Sequence, residues 1–319
     1  MRALHWDGQG LQLSKSYPMP RVADDTALVQ VRLAGICSTD LQIFQGYMGF
    51  VGVPGHEFVG EVRQGPADLI GKRVVGEINF ACGTCETCRQ GLGRHCPSRR
   101  VMGILNADGS FAEYLAVPSA NLHVVPDCVS DEEAVFTEPL AAAFEILEQV
   151  QVPPATEVVI WGDGKLGQLC AQVLQLTGAW VTVVGKHQEK LALLDKLGLH
   201  TVLLADWRPH RVDFVVEATG STAGLSLAIE TVRPRGTLVL KSTVAVPHSL
   251  SLAPLVINEV TVVGSRCGQF PPALRALTQR SVSVTPLIDR IYSLNEGLAA
   301  VDRAAQPGGR KILLKTSAK

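Results

Sequence analysis

The residues of this 319-residue chain with the most chemical content are four cysteines in one short stretch, ACGTCETCRQGLGRHC, at positions 82, 85, 88 and 96. The spacing C-x2-C-x2-C-x7-C lets neighbouring thiolates converge on one centre. Four sulfurs complete the tetrahedral shell of a zinc ion and leave no position for chemistry, so Cys82, Cys85, Cys88 and Cys96 read as a structural site. The loop around them, about residues 80–100, has little apolar material, and the metal would supply its folding energy. His95, beside Cys96, could replace one thiolate. An iron–sulfur cluster uses the same four ligands and is separated from zinc by metal analysis. Free surface thiols or a redox pair fit a four-fold spacing poorly.

Other candidate ligands are dispersed: Cys37 in GICSTD, His56 and Glu57 in PGHEFVG, and Glu138 in FTEPLA. Each alone reads as readily as a core residue or a surface polar group. A third feature, VVIWGDGKLGQLCAQVLQ, fits a strand, then G-x-G-x-x-G at Gly162, Gly164 and Gly167, then a helix. Gly162 permits the tight turn, Gly164 lets backbone approach a pyrophosphate, and Gly167 allows close helix packing. With Lys165 and Leu166 between them, they put a helix N-terminus beside a dinucleotide. About 20 residues on, where an NAD enzyme carries an acid for the ribose hydroxyls, stand Gly185, Lys186 and His187. No acid is present at that strand end. A small residue followed by two potential cations leaves room for the 2′-phosphate of NADP and supplies charge-assisted contacts to it; read without the loop, the same residues are a solvated helix start.

The elements that must position these groups follow two patterns. The first third is β-rich, with runs such as TALVQVRLAG and FVGEVRQG separated by Gly and Pro. From Thr137, which has the look of a capping box, TEPLAAAFEILEQVQ shows helical spacing. Strand-like and helix-like segments then alternate from EVVIWG to EVTVVGS, the pattern of a parallel sheet flanked by helices. A Pro-rich turn at Pro271 and Pro272, the helical LNEGLAAVDRAA and a terminal strand GRKILLK return to the first domain. The length suits about two domains. With 46% hydrophobic and 18% charged residues, the chain reads as globular rather than disordered. A net charge of −1 and the absence of basic runs argue against nucleic acid as a partner. No signal-like or membrane-spanning stretch is evident, so a soluble cytoplasmic protein without membrane association is expected. Crowded cysteines in such a protein favour metal over disulfides.

GICSTD, PGHE, the four-cysteine lobe and TEPLA occur in the order and approximate spacing of zinc-containing medium-chain dehydrogenases. The chain resembles the sorbitol, threonine and glucose dehydrogenases of that family over essentially its whole length. The resemblance implies an α/β fold with a GroES-like β-rich catalytic domain, residues 1–138 and 271–319, and a Rossmann domain, residues 139–270, built on a doubly wound parallel sheet. It implies two zinc ions per chain, one structural on the cysteine lobe and one catalytic on Cys37, His56 and Glu138, with Glu57 an alternate ligand that replaces water or holds it. In animal and yeast alcohol dehydrogenases of the superfamily the third ligand is a cysteine, so Glu138 puts this chain nearer the polyol branch. Three protein ligands leave the fourth position to a water or alcohol oxygen, whose proton the metal acidifies, and an alkoxide releases hydride readily.

By the same resemblance Thr39 takes the substrate proton and Asp40 orients His56; without the neighbouring cysteine the two would read as an ordinary turn. Some members extend the proton relay with a histidine five residues after the first ligand. Here Gln42 cannot titrate, which leaves water to finish the route. Ala218 and Thr219 in VEATGS, and Ser265 and Arg266 in VVGSRCG, resemble the nicotinamide side, although Arg266 also reads as a structural ion-pair partner. The expected activity is hydride transfer between a secondary alcohol or polyol, or the matching carbonyl, and NADP in preference to NAD. Quinone and enone reductases of the superfamily lack the ligand set. A redox-inactive NADPH-binding sensor or structural protein would keep the fold with zinc in the cysteine lobe alone. Family habit implies a homodimer or homotetramer acting on a small-molecule substrate. Phe44, Tyr47, Phe50 and the region of Phe270 do not name that substrate, and without an Arg or Lys cluster they suit phosphorylated sugars less well.

Overall fold

The computed structural model describes residues 1–243 and 249–316. They form two compact units: Met1–Glu138 with Phe270–Gln279 and Ile288–Lys319, and Pro139–Gln269 with Arg280–Leu287. Residues 280–287, expected in the first domain, group with the second. There the Gln172 side chain donates to the Ser283 carbonyl at 3.0 Å and accepts its N–H at 2.7 Å.

The first unit is organised by one long strand, Thr26–Ile36, whose residues alternate between half-buried and buried before becoming wholly buried at the end. Period-two alternation gives the strand one core face, and the apolar end is covered on both sides. The strand pairs antiparallel with Glu57–Gln64 along one side. On the other side its first half pairs with Tyr114–Pro118 and its second half with the terminal strand Lys311–Lys315. Leu313 therefore faces Gly35, Ile312 faces Ile36, and Gly35 faces Glu57. Cys37 follows Ile36, and Lys311 precedes Ile312, so Cys37, Glu57 and Lys311 gather at one end of three neighbouring strands.

Helix Ser38–Ile43 begins at once after that strand. Asp40 supplies its cap, the carboxylate accepting the Cys37 N–H at 2.7 Å. The capping box nearest Thr137 lies one short helix earlier, at Ser130 and Glu133. The Ser130 hydroxyl accepts the Glu133 N–H at 3.2 Å, and the Glu133 carboxylate accepts the Ser130 N–H at 2.9 Å. Thr137 instead donates its hydroxyl to the Ala134 carbonyl at 2.7 Å and is itself the first residue of helix Thr137–Gln149.

The second unit is a six-stranded sheet in the order 200–203, 180–185, 157–161, 212–217, 232–240, 261–264, every neighbour parallel. Its inner strands, Glu157–Trp161 and Val212–Glu217, are almost wholly buried, as strands covered on both faces must be. Pro271 and Pro272 sit in the first turn of helix Phe270–Thr278, where their missing N–H groups break no helical hydrogen bond. Among the described residues, no helix is long and apolar enough to cross a membrane.

Candidate active site

The ligand atoms of Cys82, Cys85, Cys88 and Cys96 all lie within 4.8 Å of one another. Sulfur to sulfur, Cys85–Cys88 is 3.4 Å, Cys82–Cys96 3.6 Å, Cys85–Cys96 3.8 Å and Cys82–Cys88 3.9 Å. Zinc–sulfur bonds of about 2.3 Å arranged tetrahedrally demand sulfurs about 3.8 Å apart. The separations therefore match a tetrahedral zinc shell, while thiols bonded in pairs would stand about 2 Å apart. The N–H groups of Thr84 and Cys85 bring the Cys82 thiol down to about 6, whereas desolvation and the neighbouring Cys85 push Cys88 up to about 12. Thiols this close cannot all ionise without a cation among them.

A second group with ligand atoms within 4.8 Å comprises Cys37, His56 and Glu57. His56 and Glu57 are 3% and 1% exposed, so their polar atoms face a site rather than solvent. Asp40, fully buried, sits with Oδ1 3.2 Å from His56 Nδ1 while its other oxygen caps the helix. One carboxylate thus ties helix start, Cys37 backbone and imidazole together. Burial works against a proton on His56, but the charges of Asp40 and then Cys37 outweigh it and hold its proton affinity well above the ordinary range. The Cys37 thiol lies 3.8 Å from the Thr39 hydroxyl. Glu138, in the first turn of Thr137–Gln149, stands outside this tight group, and its charge is among those that raise the proton affinity of Lys311.

Lys311 is 2% exposed and ion-paired with Glu57. Desolvation disfavours its charge, yet Glu57, Cys37 and Glu138 together raise its proton affinity. Its ammonium also stands 5.7 Å from the centre of the Phe136 ring. Glu57 reaches Lys311 across Gly35, where a Cβ would collide with the Glu57 carboxylate. Phe50, Ile43 and Trp6 form a small buried cluster with Phe44 and Tyr47 against it, so these aromatic side chains serve the packing beside helix Ser38–Ile43.

In the second unit, Gly162 has φ +119°, and a Cβ there would come within 2.6 Å of the Ala218 carbonyl oxygen. Lys165 and Leu166 open helix Lys165–Gln175, and Gly167 packs its first turn against the Gly162 carbonyl. Around Gly164, by contrast, there is open space. Thr219 donates from both N–H and hydroxyl to the buried Glu217, at 2.8 and 2.6 Å. Ser265 Oγ and the Arg266 carbonyl each lie 3.1 Å from Lys241 Nζ, which also donates to the Ala142 carbonyl at 2.6 Å. The end of strand Trp180–Gly185, which carries no acid of its own, does have one beside it in space. The Asp163 carboxylate accepts the N–H groups of Lys186 and His187, both at 2.7 Å, and meets His187 Nδ1 at 3.0 Å.

Residues 23–127 match the alcohol dehydrogenase GroES-like domain, and residues 166–282 the zinc-binding dehydrogenase domain. The chain belongs to the zinc-type medium-chain dehydrogenases/reductases. It is 27% identical to the D-arabitol-phosphate dehydrogenase of Enterococcus avium, covering 94% of this chain and 92% of the relative. An alcohol dehydrogenase structure from Thermus superposes with a TM-score of 0.90 at 29% identity, covering 99% of this chain and 100% of the other. A zinc-binding dehydrogenase from Sinorhizobium meliloti, solved bound to NADP, superposes with a TM-score of 0.90 at 25% identity over 98% of each chain.

As a medium-chain dehydrogenase the chain holds three functional candidates that its motifs do not display. Lys311 lies 254 residues from its partner Glu57, so nothing local in GRKILLK marks it beyond a charged residue opening an otherwise apolar strand. Lys241 follows the apolar run TLVL, and its 7% exposure is the unusual feature, because a buried lysine needs acceptors around it. Asp163 occupies a variable position inside the glycine motif. The dehydrogenase fold brings the nicotinamide-side candidates Ser265 and Arg266 together on Lys241.

Proposed function

We propose that the protein is a zinc-dependent dehydrogenase transferring hydride between a secondary alcohol or polyol, or the matching carbonyl, and NADP(H). The observation that carries this reading is the convergence of the half-buried Cys37 with the buried His56 and Glu57. Thiolate, imidazole and carboxylate form a donor set suited to zinc, and acceptors surrounding a single resident ammonium make the site hospitable to a further cation. Bound there by Cys37, His56 and Glu138, with Glu57 as alternate ligand, zinc supplies Lewis acidity toward the substrate oxygen. Asp40 holds the imidazole by Nδ1, which leaves Nε2 as the ligand nitrogen. Thr39, beside Cys37, is placed to carry the substrate hydroxyl proton away, with water continuing the route past Gln42. Lys311 holds Glu57 aside and keeps its charge balanced. The relatives named for polyols support the substrate class.

For the cofactor, Gly162, Gly164 and Gly167 receive the pyrophosphate at the start of helix Lys165–Gln175, and Lys186 and His187 favour the 2′-phosphate of NADP over a free ribose hydroxyl. The NADP-bound relative is consistent with that choice. Ala218, Thr219, Ser265 and Arg266 serve the nicotinamide end. Assembly as a homodimer or homotetramer is supported by the outer strand Thr261–Gly264, where Val262 is 41% exposed, and by Val256 and Ile257 nearby at 75% and 78%; bare sheet edges carrying apolar residues are normally covered. Sedimentation settles the assembly.

The decisive experiment screens alcohols and carbonyls with zinc-replete protein and either dinucleotide. Cys37→Ala and His56→Ala each abolish turnover while leaving NADPH binding in place. Persistent turnover in those variants would sink the zinc mechanism.

A further inference from the structure

Asp163 lies between the first two glycines of the nucleotide loop, in register with the end of the neighbouring strand: Trp161 pairs with Val184, and the Gly162 N–H donates to the Val184 carbonyl at 2.9 Å. Its side chain is 8% exposed. Both of its oxygens lie 3.0 Å from His187 Nδ1, and Oδ2 also accepts the N–H groups of Lys186 and His187. Gly185 is part of the same arrangement. A Cβ there would stand 2.5 Å from Asp163 Cβ and Oδ2, so the strand end cannot carry a side chain of its own, acidic or otherwise. Lys190, in the first turn of helix Gln188–Lys196, is also buried; desolvation lowers its proton affinity, opposed by the charges of Asp163 and Glu189.

These contacts decide between two roles for the acid. A carboxylate that receives the two ribose hydroxyls of NAD needs accessible oxygens. The Asp163 oxygens are turned inward and already hold three donors. Its charge is answered from inside by the two backbone N–H groups and by the buried Lys190, so an incoming phosphate meets a compensated carboxylate. Because Nδ1 of His187 is held by Asp163, Nε2 is the ring's remaining polar atom, on a side chain 37% exposed. Lys186, whose backbone is held by the same carboxylate, is exposed beside it.

We propose that Asp163 is the positioning residue for cofactor discrimination: it clamps the 185–187 turn and orients His187 so that Lys186 and His187 together bind the ribose 2′-phosphate. This rests on the dinucleotide reading given above and goes beyond it in naming the residue on which discrimination depends.

The test titrates adenosine 2′,5′-bisphosphate and adenosine 5′-monophosphate calorimetrically into the purified zinc-replete protein, which isolates the adenosine end from substrate and turnover. The wild type is expected to prefer the bisphosphate by at least about tenfold, equivalent to about 1.4 kcal/mol. Asp163→Asn reduces that preference to within about threefold and leaves the monophosphate affinity nearly unchanged. His187→Ala does the same, and the double variant falls no further than either single one, the non-additivity expected when one residue acts through the other. His187→Ala leaves the Asp163 backbone contacts intact and keeps the test open if Asp163→Asn does not fold. An Asp163→Asn protein that retains or increases the preference overturns the proposal, because Asp163 would then be a bystander or a repelling charge. A wild type that prefers the monophosphate refutes the NADP choice and this inference with it. If the wild type binds neither fragment nor NADPH, the dinucleotide reading itself fails.

Discussion

Removing the Lys311 ammonium should destabilise the first unit far more than removing the whole ion pair. In Lys311→Met the Glu57 carboxylate remains buried, with Cys37 and Glu138 as neighbouring acids and without the ammonium that pairs with it. Stranding one member of a buried pair costs about 3–5 kcal/mol. For a unit of this size, each kcal/mol moves Tm by about 2–4 °C, so a fall of about 6–20 °C is expected. Adding Glu57→Gln removes the stranded charge, and a buried pair replaced by neutral groups of similar volume is often neutral or slightly stabilising. The double variant should therefore melt within a few degrees of wild type. The assay is thermal unfolding by circular dichroism on wild type, both single variants and the double, with zinc at fixed concentration. A Lys311→Met fall under about 2 °C, or a double variant as unstable as the two singles summed, would refute the claim that the two buried side chains compensate each other.

Gly35→Ala places a methyl against the Glu57 carboxylate and should cost about 1–3 kcal/mol by overpacking, read as a lower Tm; Glu57→Ala in the same chain should recover part of it. Cys96→Ser, at the buried corner of the cysteine lobe, should lose about one zinc per chain and expose residues around 82–97 to limited proteolysis, while sparing binding of adenosine 2′,5′-bisphosphate. Glu113 loses protons more readily than a free glutamate: burial opposes this, but the Arg2 N–H at 2.7 Å and its guanidinium at 2.8 Å outweigh it. A depressed folded value means that the contribution is complete above the ordinary glutamate range and fades as pH falls through the lowered one. Partial exposure limits it to about 1 kcal/mol. Denaturant midpoints below pH 5 should therefore fall more steeply for wild type than for Glu113→Gln; parallel curves would remove the pair from the stability account.

Most of the architecture was legible because its signals are local. The change from period-two runs to alternating strands and helices needs only short windows, and two-residue gaps between cysteines restrict where the sulfurs can point. The nucleotide loop was legible for the same reason, since strand, glycines and helix are contiguous. The scattered site became readable only through resemblance, because Cys37 and His56 are brought together by the pairing of Thr26–Ile36 with Glu57–Gln64. What escaped depends on through-space chemistry. Lys311 meets Glu57 only because the terminal strand adds to the far side of Thr26–Ile36. Asp163 reaches a neighbouring strand end from inside a loop, so the apparent lack of an acid there was true of the sequence position but not of the space around it. Thr137 drew attention as a cap, although Ser130 has the glutamate three residues on that a capping box requires, whereas Thr137 has Leu140 there.

The account centres on a catalytic zinc held apart from the structural one, and counting zinc tests it most directly. Elemental analysis after extensive dialysis should find about two zinc ions per chain in the wild type and about one in a Cys37→Ala, His56→Ala double variant that still melts cooperatively, the remaining ion belonging to the closed four-cysteine shell. About one zinc in both proteins would contradict the account and leave Cys37, His56 and Glu57 as a buried polar cluster without a metal.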